Sequence, residues 1–566
     1  MTETPEIPNL DRAIHAMQAK LTGGLSPDAL GLAWLDWLVH LANQPGRRME
    51  LARQASQDAI ALCRLAMGQA DALLEPPAGD HRFTHPGWQN APYSLAAQGF
   101  FRAERWLQAA TTGIPGLSQP HERVVAFMAR QALDVFSPSN IAALNPEVIE
   151  QARATGGESL AHGFRNLMTD ARQTGKQAAL PLQPGKDVAI TPGRVVLRNQ
   201  LIELIQYTPN TAKVRPEPIL IVPAWIMKYY ILDLSPHNSM VKYLVDQGFT
   251  VFCISWVNPG ADMRDVGMDD YRKLGVMAAI DAVSAICGSK KIHGVGYCLG
   301  GTLLSITAAA MARDHDERIA TLTLLAAQTD FTEAGELQLF ISEAQLAFLD
   351  DIMWRQGFLD SAQMAGAFEM LRSNDLVWSH LVRRYYLGEE DNPNDMMSWD
   401  ADATRMPFRM HSEYLRHLFL HNDLAEGRLQ AGGRNISIAD IRVPVFAIGT
   451  ETDHIAPWHS VYKLNMLNAG EITFVLTSGG HNAGVVSEPG HPRRHFRMLT
   501  RAAEALYTPP DDWVEAAPLV EGSWWIAWAA WLAAHSTARS APPEMGHEGA
   551  GYKALEAAPG RYILQR

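Results

Sequence analysis

The stretch His293-Gly-Val-Gly-Tyr-Cys-Leu-Gly-Gly-Thr302 decides how this 566-residue chain is read. Residues 291–296 read as a β-strand and residues 302–312 as a helix, so Cys298 falls on the turn between them. Gly296 and Gly300 stand two residues to either side of it. Small residues there let the backbone reverse sharply and hold the central side chain above a sheet edge. The helix that follows aims its N-terminus at the same point, where its partial positive charge favours a thiolate and the anion of a tetrahedral intermediate. Cys298 is therefore the candidate nucleophile of an acyl-transfer reaction. A dinucleotide-binding loop fits less well, because Gly294 and Gly296 match G-x-G-x-x-G but Leu299 stands where the third glycine belongs. A Walker loop would end in Gly-Lys-Ser/Thr, and this one ends Gly300-Gly301-Thr302. Cys63, Cys253 and Cys287 have no such context and read as structural.

Outward from this turn, apolar strands and helical stretches alternate. Residues 194–197 and 201–207 read as a hairpin, 219–222, 250–256 and 320–325 as strands, and 238–247 and 271–287 as helices. This order predicts a mostly parallel sheet covered by helices, and with the nucleophile turn it predicts the α/β-hydrolase fold. The alternation stops near Phe331 and resumes at residues 443–449 and 472–476. Residues 331–439 are therefore expected to form a cap insertion over the site. Residues 1–182 are expected to be a helical N-terminal domain, since residues 30–38 and 96–110 carry helical spacing and Pro/Gly breaks fall at 76–79, 113–120 and 137–146. The catalytic domain is expected over 183–508, and a Trp-rich C-terminal extension over 509–566. In that extension the apolar run 524–534 is eleven residues, too short to span a bilayer. Its tryptophans read as a packing element rather than a lipid- or polymer-facing surface.

A thiol nucleophile needs a base and an orienting acid, which in this fold follow it in the order acid, histidine. Asp453 directly follows the strand at 443–449, 155 residues after Cys298, and His481 follows the next strand, 28 residues further on. The first interval holds the cap; the second holds one helix and one strand. Glu451 and His454 compete for the two roles. Asp453 is preferred for its place at the start of the turn, and His481 for the neighbouring glycines that allow a tight loop. The oxyanion hole is expected to use the backbone N–H of Leu299 and a second donor on the loop after Val222, assigned to Trp225.

The formal net charge of −13 argues against nucleic-acid binding, because no basic excess is available to neutralise phosphates. The four cysteines show no CxxC or Cys/His metal spacing, which fits a reducing cytoplasm and no disulfide framework. The acidic, proline-bearing N-terminus, Met1 to Pro8, does not read as a signal peptide, and no transmembrane segment is read.

Gly-Tyr-Cys-Leu-Gly-Gly-Thr at 296–302 resembles the altered lipase box of the polyhydroxyalkanoate synthases, or poly(3-hydroxyalkanoate) polymerases. Further segments carry the same resemblance: Ile226-Met-Lys-Tyr-Tyr-Ile-Leu-Asp-Leu, Ser255-Trp-Val-Asn-Pro, Trp399-Asp-Ala-Asp-Ala-Thr-Arg-Met-Pro, Asp453-His-Ile-Ala-Pro-Trp and Gly479-Gly-His-Asn-Ala-Gly-Val. Gly522-Ser-Trp-Trp and Ala558-Pro-Gly-Arg-Tyr resemble its C-terminal signatures, and Ser137-Pro-Ser-Asn and Asn145-Pro-Glu its N-terminal domain. The chain departs from the family at Met227, where asparagine is common, and at Ala224, where proline is common. Both lie on the expected oxyanion loop.

The resemblance is to the one-subunit, short-chain type. It implies that (R)-3-hydroxyacyl-CoA, such as 3-hydroxybutyryl-CoA, acylates Cys298 with release of CoA, and that a 3-hydroxyl then extends a polyester. His481 would be the base, and Asp453 would orient it or activate the hydroxyl. It further implies a homodimer at the surface of cytoplasmic polyester granules, with granule-associated proteins as partners. No cofactor is expected, CoA being part of substrate and product. An intracellular polyester depolymerase or thioesterase of the same fold is the alternative reading. A non-catalytic granule-surface protein is a second, opposed by the set Cys298, Asp453 and His481.

Overall fold

The computed structural model describes residues 9–22, 24–69, 73–77, 80–173, 180–289, 291–360, 363, 377–390 and 394–566. The N-terminal octapeptide, residues 78–79 of the first expected break, and residues 361–362, 364–376 and 391–393 of the expected cap lie outside the described residues. The described residues fall into two compact units. One draws on Ile14–Ala179 and Ala362–Asn392, the other on Met1–Ala13, Leu180–Ser361 and Pro393–Arg566.

The first unit is helical. Its longer helices are α1 (Pro27–Ala42), α2 (Pro45–Ala66), α3 (Tyr93–Thr111), α4 (Gln119–Asp134) and α5 (Glu158–Gln173). Local signals set the start of α1: Ser26 accepts the Ala29 N–H, proline occupies the first turn and Asp28 meets the positive end of the dipole. Polar ties then fix how the helices pack. Trp37 Nε1 donates to Ala110 O and Trp106 Nε1 to Leu51 O, both at 2.9 Å, so each indole buries its rings without stranding its N–H. Asp58 on α2 receives Arg102 and Arg105 of α3. Part of the insertion expected as a cap belongs to this unit: the π-helical turn Leu381–Tyr386 packs on α5, with Arg384 paired to Asp170 at 2.7 Å.

The second unit is built on a ten-stranded sheet. Its strands are β1 (Gly193–Arg198), β2 (Ile202–Tyr207), β3 (Arg215–Val222), β4 (Phe249–Trp256), β5 (Ile292–Tyr297), β6 (Ile319–Leu325), β7 (Val445–Thr450), β8 (Ile472–Thr477), β9 (His495–Arg501) and β10 (Leu519–Glu521). They lie in the order β1-β2-β4-β3-β5-β6-β7-β8-β9-β10. The six strands β4, β3, β5, β6, β7 and β8 are parallel to one another, and antiparallel strands flank them on both sides. The parallel strands are rich in apolar residues, as suits strands covered on both faces, and β4, β5, β7 and β8 are buried along their whole length. This is the α/β-hydrolase arrangement. Helices α6 (Met240–Asp246), α7 (Ala278–Cys287) and α8 (Leu299–Arg313) connect the strands.

Two strands of the sheet were not legible beforehand. β9 and β10 extend it antiparallel beyond β8; β9 mixes polar and apolar residues, and β10 is only three residues long. The tryptophan-rich run is the helix α11 (Trp524–Ala534), and Trp524, Trp525 and Trp528 are at most 1% exposed. Among the described residues no helix is long and apolar enough to cross a membrane.

Candidate active site

The register of the parallel strands brings their C-terminal ends level. Val222 faces Gly296, Tyr297 faces Leu325, and Thr450 faces Thr477. Loops leaving β3, β5, β7 and β8 therefore meet on one edge of the sheet, where open α/β sheets gather their reacting groups.

Cys298 leaves β5 with φ 52° and ψ −125° and caps α8. A non-glycine residue in that region stores about 1–3 kcal/mol of strain, held here by the bond from Cys298 N–H to Leu325 O at 2.8 Å. The flanking glycines are required by close approach. A Cβ on Gly296 would run into the backbone of Gly301, and one on Gly300 into Val222 O and the Pro223 carbonyl group. Gly301, which the sequence did not single out, is equally constrained by the Ala327 side chain. The contact at Gly300 also packs the loop after β3 against the nucleophile turn.

Asp453 and His481 meet there. His481 begins the short helix α10 (His481–Val485), and its Nδ1 lies 2.7 Å from Asp453 Oδ2. The Asp453 side chain has no exposed surface. Its Oδ1 accepts the N–H groups of Ile455 and Ala456 at 2.9 and 2.8 Å, and its Oδ2 accepts the Thr450 hydroxyl at 3.1 Å. Burial works to raise the Asp453 pKa, but the His481 charge and hydrogen bond, then the Ala456 and Ile455 N–H groups, outweigh it and hold the carboxyl below its ordinary range. Burial likewise opposes the His481 imidazolium. The charge on the Cys298 sulfur, then Asp453, overcome it and raise His481 to about 10. The three groups thus form one chain: sulfur, imidazole, carboxylate. Of the competitors, Glu451 turns away to His495 Nε2 at 3.0 Å, while the His454 carbonyl accepts the Glu336 N–H.

Leu299 and Trp225, the two residues expected to supply oxyanion donors, lie beside the nucleophile turn and on the loop after β3. Leu299 opens α8, and Trp225 lies on the loop against Gly300. Neither backbone N–H has a partner among the described residues. The described part of the insertion reaches this edge too. Thr404 Oγ1 donates to Trp225 O at 2.9 Å. Tyr414, at the end of helix α9 (Phe408–Tyr414), packs edge-on against Trp225 at 6.3 Å and lies close enough to Cys298 for the sulfur to raise its pKa, burial being the larger cause.

Further hydrogen bonds, whose partners the sequence did not announce, support these groups. Tyr297 OH donates to Asn482 Oδ1, tying the residue before the cysteine to the residue after the histidine. Trp524 Nε1 donates to Gly484 O and Trp525 Nε1 to Val485 O, at 3.0 and 2.9 Å, so α11 grips the helix that carries His481. Trp525→Ala is expected to lower the stability of this unit by about 3–5 kcal/mol. Urea unfolding followed by circular dichroism checks this; an unchanged midpoint would show that α11 does not brace the site.

Comparison with known proteins places this arrangement. Residues 79–244 match the family described as "Poly-beta-hydroxybutyrate polymerase (PhaC) N-terminus", residues 5–47 match "Poly-beta-hydroxybutyrate polymerase N terminal", and residues 217–487 match "alpha/beta hydrolase fold". The chain is 39% identical over 515 residues to the poly(3-hydroxyalkanoate) polymerase of Methylorubrum extorquens, covering 90% of this chain and 84% of that one. It is 36% identical over 549 residues to the poly(3-hydroxyalkanoate) polymerase subunit PhaC of Cupriavidus necator, covering 94% and 91%.

Proposed function

Since the chain belongs to the poly(3-hydroxyalkanoate) polymerase family, acyltransferases on an α/β-hydrolase fold, we propose that it takes (R)-3-hydroxyacyl-CoA as substrate and that Cys298 carries the acyl group as a thioester. The observation that carries this reading is Cys298 on its strained turn, interacting electrostatically with a His481 that is hydrogen-bonded to Asp453.

The Cys298 thiolate attacks the thioester carbonyl of the acyl-CoA, and the oxyanion forms against the Leu299 and Trp225 N–H groups. Collapse breaks the bond to the CoA sulfur, which leaves as the thiol with the His481 proton. One thioester is exchanged for another of similar energy, so acylation stays reversible. The 3-hydroxyl of a second acyl group then attacks the acyl-Cys298 carbonyl and gives its proton to His481. An ester bond forms and Cys298 leaves as the thiolate. No electron is gained or lost overall, so the sequence of steps calls for no redox cofactor, and CoA enters and leaves with the substrate.

Asp453 is assigned to orienting His481 rather than to activating the hydroxyl. Both its oxygens are occupied and its side chain has no exposed surface, so a substrate hydroxyl would have to displace an existing bond. The product is an insoluble polyester, which places the enzyme at the surface of cytoplasmic granules. A homodimer is the assembly proposed.

Incubation with (R)-3-hydroxybutyryl-CoA tests the reading. Free CoA and chloroform-soluble polyester are expected in matching amounts of acyl groups. Free 3-hydroxybutyrate in place of polymer would establish the thioesterase reading instead.

A further inference from the structure

Lys228 lies on the loop after β3, three residues past Trp225, and is only 4% exposed. An ammonium buried this far is costly unless other dipoles replace its water. Burial lowers its pKa to about 8; Asp402 works against that fall, while Arg566 and Arg405 add to it. Asp402 spends its own Oδ2 on the Tyr230 hydroxyl, at 3.1 Å. What the Lys228 Nζ meets is backbone. It donates to Ile563 O at 2.7 Å and Gln565 O at 2.5 Å, with Tyr562 O at 3.5 Å. Three carbonyls of one segment thus converge on one cation.

That segment is itself anchored to the sheet. Glu203 Oε2 accepts the N–H groups of Arg561 and Tyr562, and the Asn258 N–H donates to Gln565 Oε1. Ile563 is 1% exposed. On its other side, the loop is held by the insertion: Trp399 Nε1 donates to Lys228 O at 2.7 Å and Thr404 Oγ1 to Trp225 O at 2.9 Å. Lys228 therefore joins two anchors, its carbonyl to residues 399–404 and its ammonium to residues 562–565. Between them and the nucleophile turn lies the peptide assigned as an oxyanion donor.

We propose that Lys228 is a positioning residue which, by gathering the carbonyls of residues 562–565 onto its ammonium, fixes the loop of residues 223–228 over Cys298. The inference rests on the function proposed above and on the placing of the oxyanion donor in this loop. A buried cation is a poor choice for stability alone, since an apolar side chain of similar length avoids its desolvation. For catalysis it is a good one, because a donor misplaced by about 1 Å costs on the order of 10²-fold in rate.

The test uses the full chain and CoA release from (R)-3-hydroxybutyryl-CoA. Lys228→Met and deletion of residues 562–566 are each expected to lower kcat by about tenfold or more, leaving KM within about twofold, with a cooperative thermal transition retained. Combining them should cost no more than either alone, since both break the same brace. A wild-type kcat in either single variant, or losses that multiply in the combined variant, would overturn the proposal. If Lys228→Met does not fold, the deletion decides alone, because it leaves Lys228 in place: a lowered kcat at constant KM supports the brace, and an unchanged kcat removes it. Failure of the wild-type protein to release CoA would instead count against the function proposed.

Discussion

Cys298→Ala is expected to lower CoA release from (R)-3-hydroxybutyryl-CoA by about 10⁴–10⁶-fold, the range seen when the nucleophile of a triad is removed. The fold should not change. Cys298 already occupies a strained backbone position at φ 52°, and alanine bears that conformation no worse than cysteine. Its neighbours also hold independently: the Cys298 N–H to Leu325 O bond is made by backbone, and His481 keeps Asp453. What is lost is the sulfur that pairs with the imidazolium. A release assay on the variant, normalised to wild type, checks this. CoA release within about tenfold of wild type would place the nucleophile elsewhere.

Asp453→Asn should be nearly as damaging, with a loss of about 10⁴-fold in kcat. Here the orientation of the new amide is dictated by the structure. Oδ1 accepts from the Ile455 and Ala456 N–H groups, so the asparagine oxygen must stay on that side and its NH₂ must face His481. Nδ1, now 2.7 Å from Asp453 Oδ2, would become an acceptor. The ring proton would move to the nitrogen facing Cys298, and the imidazole could no longer take a proton from the thiol or the incoming hydroxyl. Steady-state kinetics with a thermal melt on the same preparation separates this from unfolding. A variant retaining more than about a tenth of wild-type kcat would contradict the orienting role.

Much of this site was written in local sequence. The nucleophile turn is a short-range pattern: a strand, a cysteine between glycines, and a helix, although the close approach that requires Gly300 comes from the loop after β3. Asp453 and His481 were legible because they follow two strongly apolar strands in the order the fold requires. The supports were not legible, for a physical reason. The Trp524 and Trp525 indoles and the Lys228 ammonium all bind backbone carbonyls, 40 residues away for the tryptophans and over 330 for the lysine. A carbonyl acceptor is the same at every residue, so no side-chain type announces it. β9 was missed for a different reason. It lies near the edge of the sheet with a largely unburied sequence that mixes polar and apolar residues, and its strand state comes from pairing with β8 rather than from its own pattern.

The central claim is that the acyl group passes through Cys298. It is tested most directly by acid-quenching the enzyme during its first turnovers with (R)-3-hydroxybutyryl-CoA and mapping the adduct by peptide mass spectrometry. The expected result is a base-labile hydroxybutyryl thioester on the peptide containing Cys298, absent from Cys298→Ala. Polymer formation with no adduct on that peptide, or with the adduct on Cys63, Cys253 or Cys287, would contradict it.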